Sequence, residues 1–165
     1  MEEPAEKTKP WLDPASVTPR VGSIAPAPFA APFAGREKRV LGDPLGLGQF
    51  GVNLVTLAPG AWSSQRHWHE NEDEFVYVLE GEVSLVTGDG ETLLRPGMAA
   101  GFPAGRPDGH HLINRGHAPA RYLEAGTRAA AETAHFSDID LMAHMRDGKF
   151  AFTHKDGTPY QKVPA

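Results

Sequence analysis

The 165-residue chain contains no cysteine, which excludes a disulfide framework, a thiolate nucleophile and a thiolate metal site. It has no apolar run approaching the ~18 residues that would cross a bilayer. Its opening, Met1-Glu2-Glu3-Pro4, is acidic where a secretory leader would be basic, so a cytoplasmic protein without membrane contact is expected. Long Lys/Arg runs are missing and the formal net charge is -5, leaving no electrostatic footprint for nucleic acid. No segment sustains a helical apolar period, and no phosphate-cradling glycine pattern precedes a helix, so bundles and nucleotide sites lack support.

What is present is a chain 40% hydrophobic, enough for one domain with a true core. Residues 1–35 are rich in proline, with Ala-Pro repeats through Ile24 to Phe33, and no regular helix or ladder tolerates that. They read as a tail to about Pro10, then an extended arm with apolar anchors at Trp11, Leu12, Val17, Ile24, Phe29 and Phe33. Residues 36–126 read as the core. Short apolar runs such as Phe50 to Leu57, Ser64 to His69, Glu74 to Leu79, Val83 to Val86, Ala99 to Phe102, His110 to Asn114 and Arg121 to Glu124 are bounded by turn signals, among them Pro59-Gly60, Asp89-Gly90, Pro96-Gly97 and Pro103-Ala104-Gly105. Many short strands at this spacing predict an all-β sandwich or barrel. Residues 127–165 read as an extension packing on it. Ala129 to Ala134 suggests a helical turn, and Arg146-Asp147-Gly148 between two short runs predicts a terminal hairpin, with a helix over 138–146 as the competing reading.

The chemistry concentrates in Arg66-His67-Trp68-His69-Glu70-Asn71-Glu72-Asp73-Glu74. Successive side chains of a strand alternate faces, so His67 and His69 project together and can share one ion. The polar stretch Glu70 to Asp73 suits a turn returning Glu74 to face them in a hairpin. Gln65 and Val76 fall on the same inward face and are pocket candidates. Trp68 points the other way, toward sheet packing. His117, His135, His144 and His154 fit no ligand spacing and read as surface or hydrogen-bonded residues.

A second set, Gly97, Pro103, Gly105, His110 and Asn114, joins Gly60, His67, His69, Glu74 and Gly81 in order along the chain. Together they resemble the two motifs of the cupin superfamily, over roughly Phe50 to Gly126. One extra residue separates Gly60 from His67 and two separate Gly105 from His110, insertions that loops absorb. The resemblance implies a double-stranded β-helix (jelly-roll) barrel and a ligand set of His67, His69, Glu74 and His110. The His-x-x-x-Asn spacing selects His110 over the adjacent His111 and places Leu112 and Asn114 on its face, making Asn114 a third pocket candidate.

Three imidazoles and one carboxylate suit one divalent transition ion, Fe, Mn, Ni, Co or Zn, without choosing among them. One negative ligand leaves positive charge on the ion and favours anionic, oxygen-rich ligands. The expected function is a metal-dependent enzyme on a small metabolite of that kind, isomerase-like on a sugar or sugar phosphate. The alternatives are a dioxygenase of small organic acids or enediols, and a ligand-sensing module without turnover. A homodimer is expected from the anchored arm and from what cupins commonly do.

Overall fold

The computed structural model describes residues 9–160, and the expected mobile tail falls almost wholly outside them. Alternation dictates the strands. In Glu74–Glu80, Val76 and Val78 are buried while Phe75, Tyr77 and Leu79 face out, the pattern of a strand with one face on a core. Thirteen strands form: β1 (Arg20–Val21), β2 (Arg36–Val40), β3 (Phe50–Leu57), β4 (His67–His69), β5 (Glu74–Glu80), β6 (Val83–Thr87), β7 (Gly90–Leu94), β8 (Ala99–Phe102), β9 (His111–Ile113), β10 (Ala120–Thr127), β11 (Ala131–Phe136), β12 (Met142–Arg146) and β13 (Lys149–Thr153). Every strand pairing is antiparallel.

One wall is the six-stranded sheet β1-β2-β3-β10-β5-β8. The other combines β7-β6-β9 with β13-β12-β11-β4, joined by the isolated bridge His67↔His110. Between the walls lies a core that includes Val55, Leu57, Val76, Val78, Val83, Leu94, Leu112 and Tyr122. This is the jelly-roll barrel that the sequence predicts. Among the described residues no helix is long and apolar enough to cross a membrane.

Several expectations are corrected. Glu70 to Asp73 is not a hairpin turn. β4 pairs with β11 and β5 with β10 and β8, so the loop crosses from one wall to the other and Glu74 meets the histidines across the barrel interior. Side chains brace that crossing: Asp73 Oδ1 accepts from the Ala104 amide at 2.8 Å and Glu72 Oε1 from the Ala129 amide at 2.9 Å. Ala129 to Ala134 makes no helical turn, because residues 131–136 hydrogen-bond to β4 on one side and β12 on the other. Ladder pairing overrides the helix preference of alanine. The β6–β7 turn is Gly88-Asp89, one residue before the expected pair, since Thr87 pairs with Gly90.

The terminal hairpin forms between β12 and β13. Asp147 and Gly148 both adopt positive φ, 51° and 70°, as two-residue hairpin loops require, and residues 138–146 are not helical. In the arm, β1 pairs with β2 and Phe33 is fully buried, whereas Trp11 and Ile24 lie exposed. Gly81 turns between β5 and β6 at φ 70°. A Cβ there would lie 2.8 Å from the Pro119 carbonyl oxygen, so both its backbone angle and its neighbours require glycine.

Candidate metal centre

His67 and His69 project from β4 into the barrel, Glu74 opens β5 on the opposite wall, and His110 precedes β9. His110 is locked beside His67 by reciprocal backbone bonds of 2.9 and 3.2 Å. The three imidazole Nε2 atoms converge on one carboxylate oxygen. Glu74 Oε2 lies 2.8 Å from His110 Nε2, 3.4 Å from His69 Nε2 and 3.8 Å from His67 Nε2, and the two β4 nitrogens are 3.1 Å apart. Donor atoms of His67, His69 and Glu74 all lie within 4.8 Å of one another, and His110 reaches them through Glu74. Donors about 3 Å apart suit a shared ion with bonds near 2.1 Å.

The ring orientations are set from behind. His67 Nδ1 is 2.9 Å from the Gln65 carbonyl oxygen. A carbonyl only accepts, so Nδ1 carries the proton and Nε2 presents a lone pair inward. His110 lies flat on Phe102, ring centroids 3.5 Å apart. His111 is turned away: its Nδ1 faces the Ser64 carbonyl at 3.0 Å and its ring packs edge-on against Trp62. Behind His69, Nδ1 sits 3.5 Å from Glu132 Oε1. Glu132 is itself buried and is held by the Glu70 and Asn71 amides at 2.9 Å each. Outer carboxylates of this type orient a ligand and raise its basicity. We expect Glu132→Gln to weaken metal binding by about 10–100-fold, read by competition with a chelator of known affinity.

The cluster is electrostatically tense without an ion. Burial drives the His67 pKa down to about 4, aided by its histidine neighbours against the pull of Glu74. Burial also opposes charge on His69, but its hydrogen bond to Glu74 and the nearby Glu74, Glu132 and Glu72 charges outweigh it and lift the pKa to about 9. Burial pushes Glu74 upward, yet hydrogen bonds from His110 and His69 hold its carboxyl well below the usual range. At neutral pH the metal-free site is therefore a His69 imidazolium facing a Glu74 carboxylate. A ligating nitrogen must lose its proton. Because His69 must give up its proton to bind, metal affinity is expected to rise with pH below about 9, with protons released on binding. Calorimetry in buffers of different ionisation enthalpy checks both.

The cluster forms the floor of a cavity of about 220 Å³. Val76 and Leu112 line it, but two of the three pocket candidates do not. Asn114 is fully buried, its amide donating to the Leu57 and Ala118 carbonyls and its oxygen accepting from the Gly116 amide, so it ties loops together. Gln65 donates to the Phe29 carbonyl and lines a neighbouring chamber. The cavity instead holds Arg36 and Lys38 from β2 and Tyr122 and Glu124 from β10, none of which the motifs indicate. Lys38 Nζ meets Glu124 Oε1 at 2.5 Å and Asn53 Nδ2 donates to the same oxygen at 3.0 Å. The buried Tyr122 hydroxyl has its pKa raised well above 10, chiefly by desolvation. Charges at alternate positions of strands that otherwise face a core were the available signal.

A Cupin domain family model matches residues 53–126. A sugar phosphate isomerase from a cupin superfamily, of Silicibacter pomeroyi, is 51% identical over 92% of this chain and 97% of its own, with a TM-score of 0.89. The chain belongs to the cupin superfamily. A second solved structure, provisionally named a sugar phosphate isomerase, from Acidithiobacillus ferrooxidans, is 26% identical over 78% of this chain and 81% of its own, TM-score 0.69. A polyketide cyclase from Streptomyces resistomycificus, 24% identical over 71% of this chain and 78% of its own at TM-score 0.57, shares the fold alone. No curated protein sequence matches this cupin.

Proposed function

We propose that this cupin is a metal-dependent enzyme acting on a small, oxygen-rich anionic metabolite, with isomerase-like chemistry on a sugar or sugar phosphate. The observation that carries the reading is the convergence of three imidazoles on Glu74 at the floor of a cavity that also holds Arg36, Lys38 and Glu124. The printed name of the relative from Silicibacter pomeroyi supports the reaction class. His67, His69, Glu74 and His110 would hold one divalent ion, which supplies Lewis-acid polarisation of a bound carbonyl or hydroxyl. In the cavity two cations offset two carboxylates, so the ion's charge remains to attract an anion.

The chain's own groups suit the remaining tasks. The Arg36 guanidinium lines the cavity and is anchored by its Nη1 to the Ser63 carbonyl, which holds its charge beside the site. Desolvation keeps the Tyr122 hydroxyl protonated, so it can donate to a ligand oxygen. Glu124, the carboxylate not counted among the ligands, is the group to which we assign proton movement between adjacent carbons. Lys38 and Asn53 hold one of its oxygens and fix its position. A panel of sugar phosphates, uronates, hydroxy acids and catechols, assayed with Mn, Fe, Ni and Zn with and without air, tests the reading. Anaerobic turnover that disappears on chelation supports it, while oxygen consumption with Fe transfers the protein to the dioxygenases. Tight binding without turnover by any metal form makes it a sensor.

A homodimer belongs to the same proposal. Phe75, Tyr77 and Leu79 expose an apolar row on the outer face of the six-stranded sheet, a surface suited to an isologous contact. Light scattering is expected to give twice the 17.8 kDa chain mass. Tyr77→Lys with Leu79→Lys is expected to give the monomer, and an unchanged mass would move the contact elsewhere, for instance to the arm.

A further inference from the structure

We infer that the candidate ion site opens onto a second, apolar chamber, and that the ligand accordingly carries a short hydrocarbon or aromatic substituent beside its chelating oxygens. This rests on the metal-dependent reading above and narrows its substrate class. The register of one sheet lays out the apolar face. His69 lies opposite Ala134, Ala134 opposite Ala143, and Ala143 opposite Phe152, while His67 lies opposite Phe136. Directly paired residues of adjacent strands share a face, so the face that carries two ligands continues as an unbroken apolar row to the C-terminal hairpin. Phe136 stacks on the His67 ring at 5.6 Å, and Phe152 meets Phe150 edge-on at 4.9 Å.

Ala134 and Ala143 stop at Cβ, and the space above them is not filled by neighbours. It forms a chamber of about 200 Å³ roofed by the arm at Ser23 to Ala25 and at Phe33. Arg36, Ser64, His67 and His69 line both this chamber and the polar cavity, so the two spaces meet at the β4 histidines. An apolar cavity near 150 Å³ is large enough to hold benzene. The chamber therefore has room for one ring or a short branched chain. The Gln65 amide, a polar group on its wall, is already engaged by the Phe29 carbonyl. Ligand hydroxyls placed against Phe136 and Phe152 would lose water without gaining partners, so a fully hydroxylated chain fits the polar cavity but not this one. Phe150, half exposed, stands at the mouth.

The test compares two chelators with the same bidentate oxygen head, acetohydroxamate and benzohydroxamate, titrated calorimetrically into the full-length Zn-loaded protein after its ion content has been measured. Benzohydroxamate is expected to bind about 30-fold more tightly or better, from burial of its ring. Ala143→Phe fills the chamber and is expected to remove that gain while acetohydroxamate binding stays within about twofold of its starting value. Because a buried substitution can disturb folding, Phe150→Ala at the exposed mouth provides a second readout, with the gain expected to fall several-fold. Equal affinity of the two chelators, or a gain that survives both substitutions, overturns the chamber while leaving the metal reading intact. Failure of the ion-loaded protein to bind either one overturns the inference, and failure to hold any ion overturns the metal reading itself and the inference with it.

Discussion

Glu74→Ala is expected to leave the protein without stoichiometric metal while its β-sheet circular dichroism persists. Glu74 is the only anion among the four proposed ligands and the point on which all three Nε2 atoms converge. Its removal takes away both a donor and the charge that offsets the ion. Outer-shell substitutions alone cost 10–100-fold in metal affinity, so loss of this ligand is expected to cost more than about 100-fold. His67→Ala, His69→Ala and His110→Ala are expected to behave alike. His111→Ala is expected to keep its ion, because that ring faces the Ser64 carbonyl and Trp62. The fold should survive in each case, since Val55, Leu57, Val76, Val78 and Leu112 pack between the walls without help from an ion. Equilibrium dialysis with elemental analysis checks the set. An ion retained by His110→Ala and lost by His111→Ala would mean that the second motif is wrongly registered.

Glu124→Gln is expected to lower turnover while leaving the ion in place. The substitution keeps the shape and one acceptor oxygen but removes the charge that accepts a proton, and positioned acid–base groups contribute about 10²–10⁴-fold. The rate should fall by that factor with ion content unchanged. Lys38→Met is expected to lower the rate less, because Asn53 still holds the same Glu124 oxygen. Isotope exchange from deuterated water into the substrate carbon, measured on the turnover-competent metal form, separates loss of proton transfer from loss of binding. A Glu124→Gln protein with undiminished exchange would remove Glu124 from that role.

The barrel was legible because its causes are local. Alternation in β5, the turn residues around Gly81 and Gly97, and Asp147-Gly148 act over a few residues, and each leads to a strand or turn in the structure. The convergence of His67, His69, Glu74 and His110 was legible through motif spacing. The route by which Glu74 reaches the histidines was not, because turn chemistry reads alike whether the chain doubles back or crosses a barrel. Ala129 to Ala134 was read as a helical turn because the strand that forms at 131–136 depends on the free edge of β4, some 60 residues earlier in the chain. Asn114 and Gln65 were read as pocket residues from alternation, but which residues reach an open cavity depends on what fills the space around them. Arg36, Lys38, Tyr122 and Glu124 come from two strands that become neighbours of the site only through β3 and its register.

The most direct test of the four-ligand site is anomalous diffraction from crystals of the protein loaded with one equivalent of Zn or Mn. The geometry described here predicts a single peak bonded to Nε2 of His67, His69 and His110 and to the Glu74 carboxylate, about 2.0–2.2 Å from each donor for zinc. The contradictory result is equally specific. Among the described residues, His69, Glu72 and Glu132 form a second donor group within 4.8 Å of one another, on the far side of the His69 ring. A peak there, with none among His67, Glu74 and His110, would show that the converging imidazoles are not the metal site.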